Sequence, residues 1–170
     1  MGSLMYLVGC FQGSIEALRS IQQPTHFTDF VISHSHLTIF GTFVVWAMGG
    51  LLFLWPRMCG RELWSFTLGN WSFWLITCGI SIMGLVLSAA GLQQGFQWMN
   101  GVEWIDTVVQ MRAYWLVRTV AGISMDIGMS LLIINLMMTA LKRSDTAIGF
   151  RPQSPAPDNL TTFAAGEPAR

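Results

Sequence analysis

Residues 32–55 form a continuous run of 24 residues that contains no Asp, Glu, Lys or Arg. About 20 consecutive, mostly apolar residues in a helix are enough to cross the hydrocarbon core of a membrane. The whole chain of 170 residues is 52% hydrophobic and 11% charged. A typical soluble domain carries about 25% charged residues, more than twice this fraction. The sequence therefore predicts an integral membrane protein.

Three further apolar segments flank this run, and the four together predict an all-α, polytopic bundle of transmembrane helices. The four predicted helices cover residues 4–18, 32–55, 71–96 and 114–141. We expect Pro56 to close the second helix, because the residue before a proline is biased away from the α conformation. The transmembrane region then occupies residues 1–143. Residues 144–170 are rich in proline, alanine and polar side chains, so we expect a disordered extension there.

Basic residues predict how the helices are oriented in the membrane. They concentrate after the second and the fourth predicted helices, at Arg57, Arg61, Lys142 and Arg143. Cytoplasmic loops are enriched in Lys and Arg, so the start of the second helix is expected on the non-cytoplasmic side. The net charge is zero, and the chain has none of the basic excess that a nucleic-acid-binding protein needs.

Small residues recur at four-residue spacing in the third and fourth predicted helices. The pairs are Gly84 with Ser88, Gly91 with Gly95, and Ser124 with Gly128. Small side chains allow membrane helices to approach each other closely. We therefore expect tight helix packing at these positions.

Two histidines, His34 and His36, lie at the start of the second predicted helix, separated by one serine. Residues two apart on an α-helix are about 200° apart around the axis and about 3 Å apart along it. Their imidazoles then point to nearly opposite sides and suit two separate partners. Neutral imidazole binds transition metals and haem iron, which favours ligation. The alternative is a pair of interfacial histidines that are each hydrogen-bonded to a neighbouring helix.

Four stretches of the sequence resemble a known family. They are HFTDFVISHSHLTIFG, PRMCGRE, NWSFWL and YWLVRTVAG. They are similar to the C-terminal helices of haem–copper oxidase catalytic subunit I, above all that of the cbb-type cytochrome c oxidase. The large subunit of nitric oxide reductase is the near relative. The similarity runs from Tyr6 to Arg143, with one departure: Ser72 replaces the histidine of the family's NWHFWL motif.

The resemblance implies a segment of a respiratory terminal oxidase that transfers electrons to dioxygen with proton uptake. It implies that His34 ligates a high-spin haem iron and His36 a low-spin haem iron, both haems being b-type. The implied partners are the remaining helices of the catalytic subunit, c-type cytochrome subunits and membrane lipid. The implied location is the bacterial inner membrane, with the haem ligands near its non-cytoplasmic side.

Three further residues are candidates for the side on which the haem propionates would emerge: His26, Asp29 and Arg118. His26 and Asp29 could equally be solvated loop residues, with Asp29 capping the helix that follows. Arg118 could instead extend its side chain to the membrane surface.

Carboxylate or amide side chains inside apolar segments are candidates for proton transfer. Glu16 and Gln12 both fit the acidic position that the family keeps on the first of these helices, and the sequence leaves the choice open. Asp126 lies near the middle of the fourth predicted helix, and the sequence offers no partner for it.

The chain contains three histidines, which is too few for a complete oxidase site. In the family, copper takes three histidines from upstream helices, and the low-spin haem takes a second axial histidine. Copper is expected in the complete enzyme, but its ligands are absent from this sequence. We therefore expect a C-terminal segment of catalytic subunit I that needs the upstream helices for activity. The alternatives are a segment of a nitric oxide reductase or a non-catalytic membrane remnant.

Overall fold

A computed structural model describes residues 1–141, which form six helices and contain no strand. The helices are α1 (Gly2–Glu16), α2 (Arg19–Thr25), α3 (Asp29–Cys59), α4 (Phe66–Met99), α5 (Trp104–Gln110) and α6 (Arg112–Leu141). The predicted all-α membrane bundle is therefore confirmed for this range. The extension predicted for residues 144–170 lies outside the described residues.

Three of the helices, α3, α4 and α6, are long and apolar enough to cross a membrane. Helix α4 is the central one, since half of its most apolar stretch is buried, against 28% in α3 and in α6. Helix α6 packs along α4, and α3 lies against α4 on another side, with α1 next to α3. The short helices α2 and α5 lie in the connections and were not predicted from the sequence.

Helix α3 changes its winding along its length. Asp29–His36 is α-helical, Leu37–Val44 is π-helical, and Val45–Cys59 is α-helical again. The hydroxyl of Thr42 donates to the carbonyl of Leu37, five residues earlier, at 3.4 Å. Turns with i→i+5 bonding are rare in proteins, and those that do occur are often found at functional sites. In this chain the π-helical segment begins directly after His36.

The prediction that Pro56 ends this helix is wrong. The helix runs through Pro56 to Cys59 and ends at Gly60, whose φ of 63° is left-handed. Proline removes one backbone donor from a helix, and this loss does not stop the last turn from forming here. Glycine adopts the left-handed conformation without steric cost, so Gly60 is the residue that terminates α3.

The prediction of close packing at the small residues is confirmed. A Cβ at Gly91 would meet the backbone of Phe30, and a Cβ at Gly95 would meet the backbone of Pro24. A Cβ at Gly84 would lie 2.7 Å from Leu37 Cδ2, and one at Gly128 would lie 2.8 Å from Ile76 Cγ1. The backbone of α4 therefore touches α2 and α3 directly, and this contact fixes where the first residues of α3 lie.

Apolar side chains from all the long helices fill two buried clusters along the bundle. One cluster contains Met5, Leu37, Ile80, Met83, Leu87, Ala121 and Met125. The second contains Val45, Met48, Ile76 and Leu132. Phe40, within the π-helical segment, packs against both clusters and so connects them.

Candidate functional site

The start of α3 is held by a cap and by a buried carboxylate. The hydroxyl of Thr28 accepts a hydrogen bond from the backbone N–H of Phe30 at 3.3 Å, which caps the helix. Asp29 is the first helical residue and is 6% exposed. The cap is therefore Thr28, while Asp29 adds a negative charge at the helix N-terminus, where such a charge is favourable.

The carboxylate of Asp29 connects α3 to two other helices. Its Oδ2 accepts hydrogen bonds from Gln94 Nε2 on α4 and from Trp115 Nε1 on α6, both at 2.9 Å. Gln94 Oε1 in turn accepts from the backbone N–H of Asp29 at 2.8 Å. Sequence reasoning did not identify Gln94, although an amide inside an apolar helix was a usable signal. Together these bonds fix the position and rotation of the first turn of α3.

Replacing Asp29 with alanine is expected to lower the free energy of unfolding by about 1–3 kcal/mol. The change leaves a buried donor on Gln94 and a half-buried donor on Trp115 without their acceptor. The measurement is an SDS unfolding titration followed by circular dichroism. Asp106→Ala is the control, because Asp106 is exposed in the first turn of α5. Equal losses in the two variants would contradict the anchoring role of Asp29.

His36 has one ring nitrogen engaged and the other free. Its Nδ1 lies 2.8 Å from the backbone carbonyl of Ile32, four residues earlier. A carbonyl only accepts, so Nδ1 donates this bond, and in the neutral imidazole Nε2 then keeps its lone pair. The side chain is exposed on the bundle surface. Metal-bound histidines usually have this arrangement, in which the second nitrogen donates to a backbone carbonyl or a carboxylate.

His34 lies on another side of α3, against α1. Its ring is so close to Gly13 that a Cβ there would come within 2.9 Å of Cε1 and 3.3 Å of Nε2. Its Nδ1 is buried and has no hydrogen-bond partner among residues 1–141. Packing alone therefore holds this ring. Gly13 was not identified from the sequence, and it is the residue that makes room for the imidazole.

The two histidines differ in how well they fit haem iron. His36 fits a ligand of haem iron as it stands, since its Nδ1 donates to a backbone carbonyl and its side chain is exposed. His34 offers an unpaired ring, but its Nε2 faces α1 closely. A haem on that side would require the ring to turn away from Gly13. Within the part of the chain that is described, no group of three or more His, Cys, Asp or Glu side chains could hold a metal ion.

A cavity of about 480 Å³ lies between α1, α3 and α4 and is lined mostly by apolar side chains. Its lining residues Gln12, Gly84 and Ser88 take part in a series of hydrogen bonds from α1 to α4 that passes through Ser33. Gln12 Nε2 donates to Ser88 Oγ at 3.4 Å, Ser88 Oγ lies 2.9 Å from Ser33 Oγ, and Ser33 Oγ donates to Gly84 O at 2.7 Å. Gln12 Oε1 is buried without a partner among the described residues. The serines were not identified as site residues from the sequence.

The remaining candidates lie in different places. Glu16 is the last residue of α1 and is 8% exposed, and it does not line the cavity as Gln12 does. His26 is exposed just after α2, with its Nδ1 2.7 Å from Gln22 Nε2. Arg118 is exposed on α6. Of the three residues predicted for the propionate side, only Asp29 therefore forms hydrogen bonds between long helices, with Gln94 on α4 and Trp115 on α6.

Comparison with known proteins places this arrangement in a family. The family model described as cytochrome C and quinol oxidase polypeptide I matches residues 1–124. This range includes both histidines, Asp29 and the whole of α4.

Three relatives illustrate the range of the similarity. Cytochrome c oxidase subunit 1 of Rhodobacter capsulatus is 30% identical over 150 residues, which cover 84% of this chain and 28% of the relative. The cbb3-type cytochrome c oxidase subunit CcoN1 of Stutzerimonas stutzeri is 27% identical, over 79% of this chain and 30% of the relative. A probable quinol oxidase subunit 1 of Staphylococcus epidermidis is 27% identical, over 85% of this chain and 21% of the relative.

The chain spans between a fifth and a third of the length of these curated relatives. The family match over residues 1–124 includes the first two of the three helices that are long and apolar enough to cross a membrane, and it reaches into the third. The chain belongs to the family of cytochrome c and quinol oxidase polypeptide I.

Proposed function

We propose that this chain is the haem-ligating segment of a terminal oxidase catalytic subunit of the cbb type. His36 would bind the iron of a low-spin b-type haem, and His34 that of a high-spin b-type haem at the dioxygen site. The observation that carries the proposal is the hydrogen bond from His36 Nδ1 to Ile32 O, which leaves Nε2 free on an exposed flank of α3. The α-helical backbone of Asp29–His36 keeps His34 and His36 on different flanks.

The two haems would supply electron transfer and the binding of dioxygen. The contribution of this chain is to position them: the contacts of Asp29 with α4 and α6 fix the rotation of the turn that carries both imidazoles. His26 and Arg118, which are exposed, would face the propionate groups. The membrane would be the bacterial inner membrane, with the histidines near its non-cytoplasmic side.

Proton uptake would use Gln12 and not Glu16. Gln12 belongs to the hydrogen-bonded series that crosses from α1 to Ser33, the residue before His34. An amide does not exchange protons as a carboxylate does, so Gln12 would orient hydroxyl groups and water. Glu16 lies one helical turn farther along α1 and outside the cavity.

The complete site requires further helices. The chain has three histidines, and the copper ligands and the second axial ligand of the low-spin haem would come from the remaining part of the catalytic subunit. Cytochrome subunits of the c type would be the electron-donating partners. The names of the relatives, which are cytochrome c and quinol oxidases, favour dioxygen over nitric oxide as the substrate.

The complex purified from its native membrane through a tag on this chain is expected to contain two b-type haems. A reduced-minus-oxidised spectrum measures them, and elemental analysis is expected to find copper beside iron. Iron without copper would indicate a nitric oxide reductase instead. A complex without haem would contradict the proposal and indicate a non-catalytic membrane protein.

A further inference from the structure

A gap separates α3 from α6 at the level of His36. Near the start of both helices, Trp115 Nε1 donates a hydrogen bond to Asp29 Oδ2 at 2.9 Å. The two backbones are nevertheless apart, because no Cα of residues 29–44 lies within 8 Å of a Cα of α6. Residues of Val45–Cys59 do approach α6 within this distance. The gap is therefore bridged by side chains at one end and closed by helix packing at the other.

His36 lies on the flank of α3 that borders this gap. The segment Asp29–His36 is α-helical, so side chains seven residues apart point within about 20° of each other. Asp29 reaches α6 on this flank, and His36 is seven residues farther along. Its imidazole is exposed, with Nδ1 bonded to the carbonyl of Ile32. A ligand held by the other ring nitrogen would therefore lie in the gap or along its edge.

Helix α6 forms the other wall of the gap. Asp29 and Trp115 are near the start of their helices, so α3 and α6 run in the same direction across the membrane. Gly122 is seven residues after Trp115, which places it at the level of His36 and on the same side of α6 as Trp115. A Cβ at Gly122 would have nothing within 4 Å. The wall opposite His36 is therefore open, and it leaves room for the low-spin haem of the proposed site.

Asp126 belongs to this wall of α6. It is eleven residues after Trp115, about three helical turns, so the two side chains point within about 20° of each other. It lies about 6 Å along the axis from Gly122. Its side chain is exposed, and the hydroxyl of Ser130 donates to its backbone carbonyl and not to its carboxylate. The carboxylate is therefore a negative charge beside the gap that His36 borders.

We propose that Asp126 lowers the reduction potential of the low-spin haem that His36 would bind. The inference rests on the haem ligation proposed above and assigns a role to a further residue of the same site. Reduction adds one electron to the iron, and a negative charge beside the gap opposes this by Coulomb repulsion. Salt screens a charge inside a membrane bundle much less than a charge on a wet surface, so one carboxylate has a measurable effect.

The same arrangement gives a reason for a carboxylate at this depth. Asp126 is the fifteenth of the 30 residues of α6, and an ionised group in the middle of a membrane helix is costly unless it faces a partner. Arg118 is about 12 Å away along the axis of the same helix and is too far for an ion pair. Oxidised iron carries one positive charge more than reduced iron, so the carboxylate stabilises the oxidised state.

A redox titration of the assembled complex, followed at the low-spin haem absorption, tests the proposal. Asp126→Asn keeps the shape of the side chain and removes its charge. This variant is expected to raise the ratio of reduced to oxidised low-spin haem at least tenfold at a fixed potential, which is a shift of about 59 mV for one electron. Asp126→Glu keeps the charge and is expected to retain the lower potential. A smaller shift is expected for the high-spin haem, since His34 faces α1.

Asp106→Asn is the matched control, because it removes the charge of an exposed carboxylate in the first turn of α5. Its midpoint potential is expected to equal that of the unmodified complex. An unchanged potential in Asp126→Asn, or an equal rise in Asp126→Glu, would overturn the role of Asp126. His36→Ala separates this result from the proposed function: a low-spin signal that survives the loss of His36 would overturn the haem ligation itself, and this inference with it.

Discussion

Under the proposed haem ligation, replacing His36 with alanine is expected to abolish the low-spin haem signal of the complex that contains this chain. The variant lacks the exposed Nε2 through which α3 would bind that iron, while the bonds of Asp29 that position the helix remain. Electron transfer through the low-spin haem should then fall to background. The measurement is a reduced-minus-oxidised spectrum of the purified complex, together with its oxygen consumption.

Two matched variants make this experiment specific. His34→Ala is expected to remove the high-spin component and to leave the low-spin component in place. Ser35→Ala is expected to retain both, since Ser35 is exposed between the two histidines and its hydroxyl donates to the backbone carbonyl of Val31. A spectrum of the His36 variant that is identical to that of the unmodified complex would exclude His36 as a haem ligand.

Replacing Gly91 with alanine is expected to lower the free energy of unfolding by about 1–3 kcal/mol, the usual cost of overpacking. The new Cβ would meet the backbone nitrogen of Phe30 and would lie 2.6 Å from its Cα. A backbone cannot move aside as a flexible side chain can, so α3 would have to shift away from α4. The proposed haem ligation adds a second expected effect, an altered haem spectrum of the assembled complex, because Phe30 is four residues from His34.

Gly122→Ala is the control for this substitution. Gly122 is also a helical glycine, and a Cβ there would have nothing within 4 Å. Alanine in a helix interior is favoured over glycine by up to about 1 kcal/mol, so this variant is expected to be as stable as the unmodified chain or slightly more stable. SDS unfolding titrations compare the two variants. Equal stabilities would show that the contact between Gly91 and Phe30 does not hold α3 in place.

Most of the architecture could be predicted from the sequence because membrane helices are recognised by their length and hydrophobicity. The close contacts at Gly91 and Gly95 were also predictable, since small residues at four-residue spacing have few other uses in a membrane helix. The residue at which α3 ends was not predicted correctly. Its termination depends on Gly60 and not on Pro56, and a proline near the last turn does not by itself decide where a helix stops.

The sequence singled out His34 and His36, whose role as haem ligands stays a prediction, and it did not reveal the contacts that surround them. The spacing of His34 and His36 and the resemblance to a family identified the pair. The contacts of Asp29 with Gln94 and Trp115 join residues 65 and 86 positions apart, and a single sequence does not reveal such pairs. The same holds for Gly13, which lies against His34 only because α1 folds back along α3.

The π-helical segment Leu37–Val44 separates α3 into two parts that do not share one α-helical phase. An i→i+5 turn contains one residue more than an α turn, and one residue corresponds to about 100° of rotation. Val45 and Met48, which pack in the second buried cluster, therefore lie at a different angle from His34 and His36 than an unbroken α-helix would give them. The π-helical segment thus lets one membrane helix keep both imidazoles on their own flanks while its C-terminal part turns Val45 and Met48 into the core.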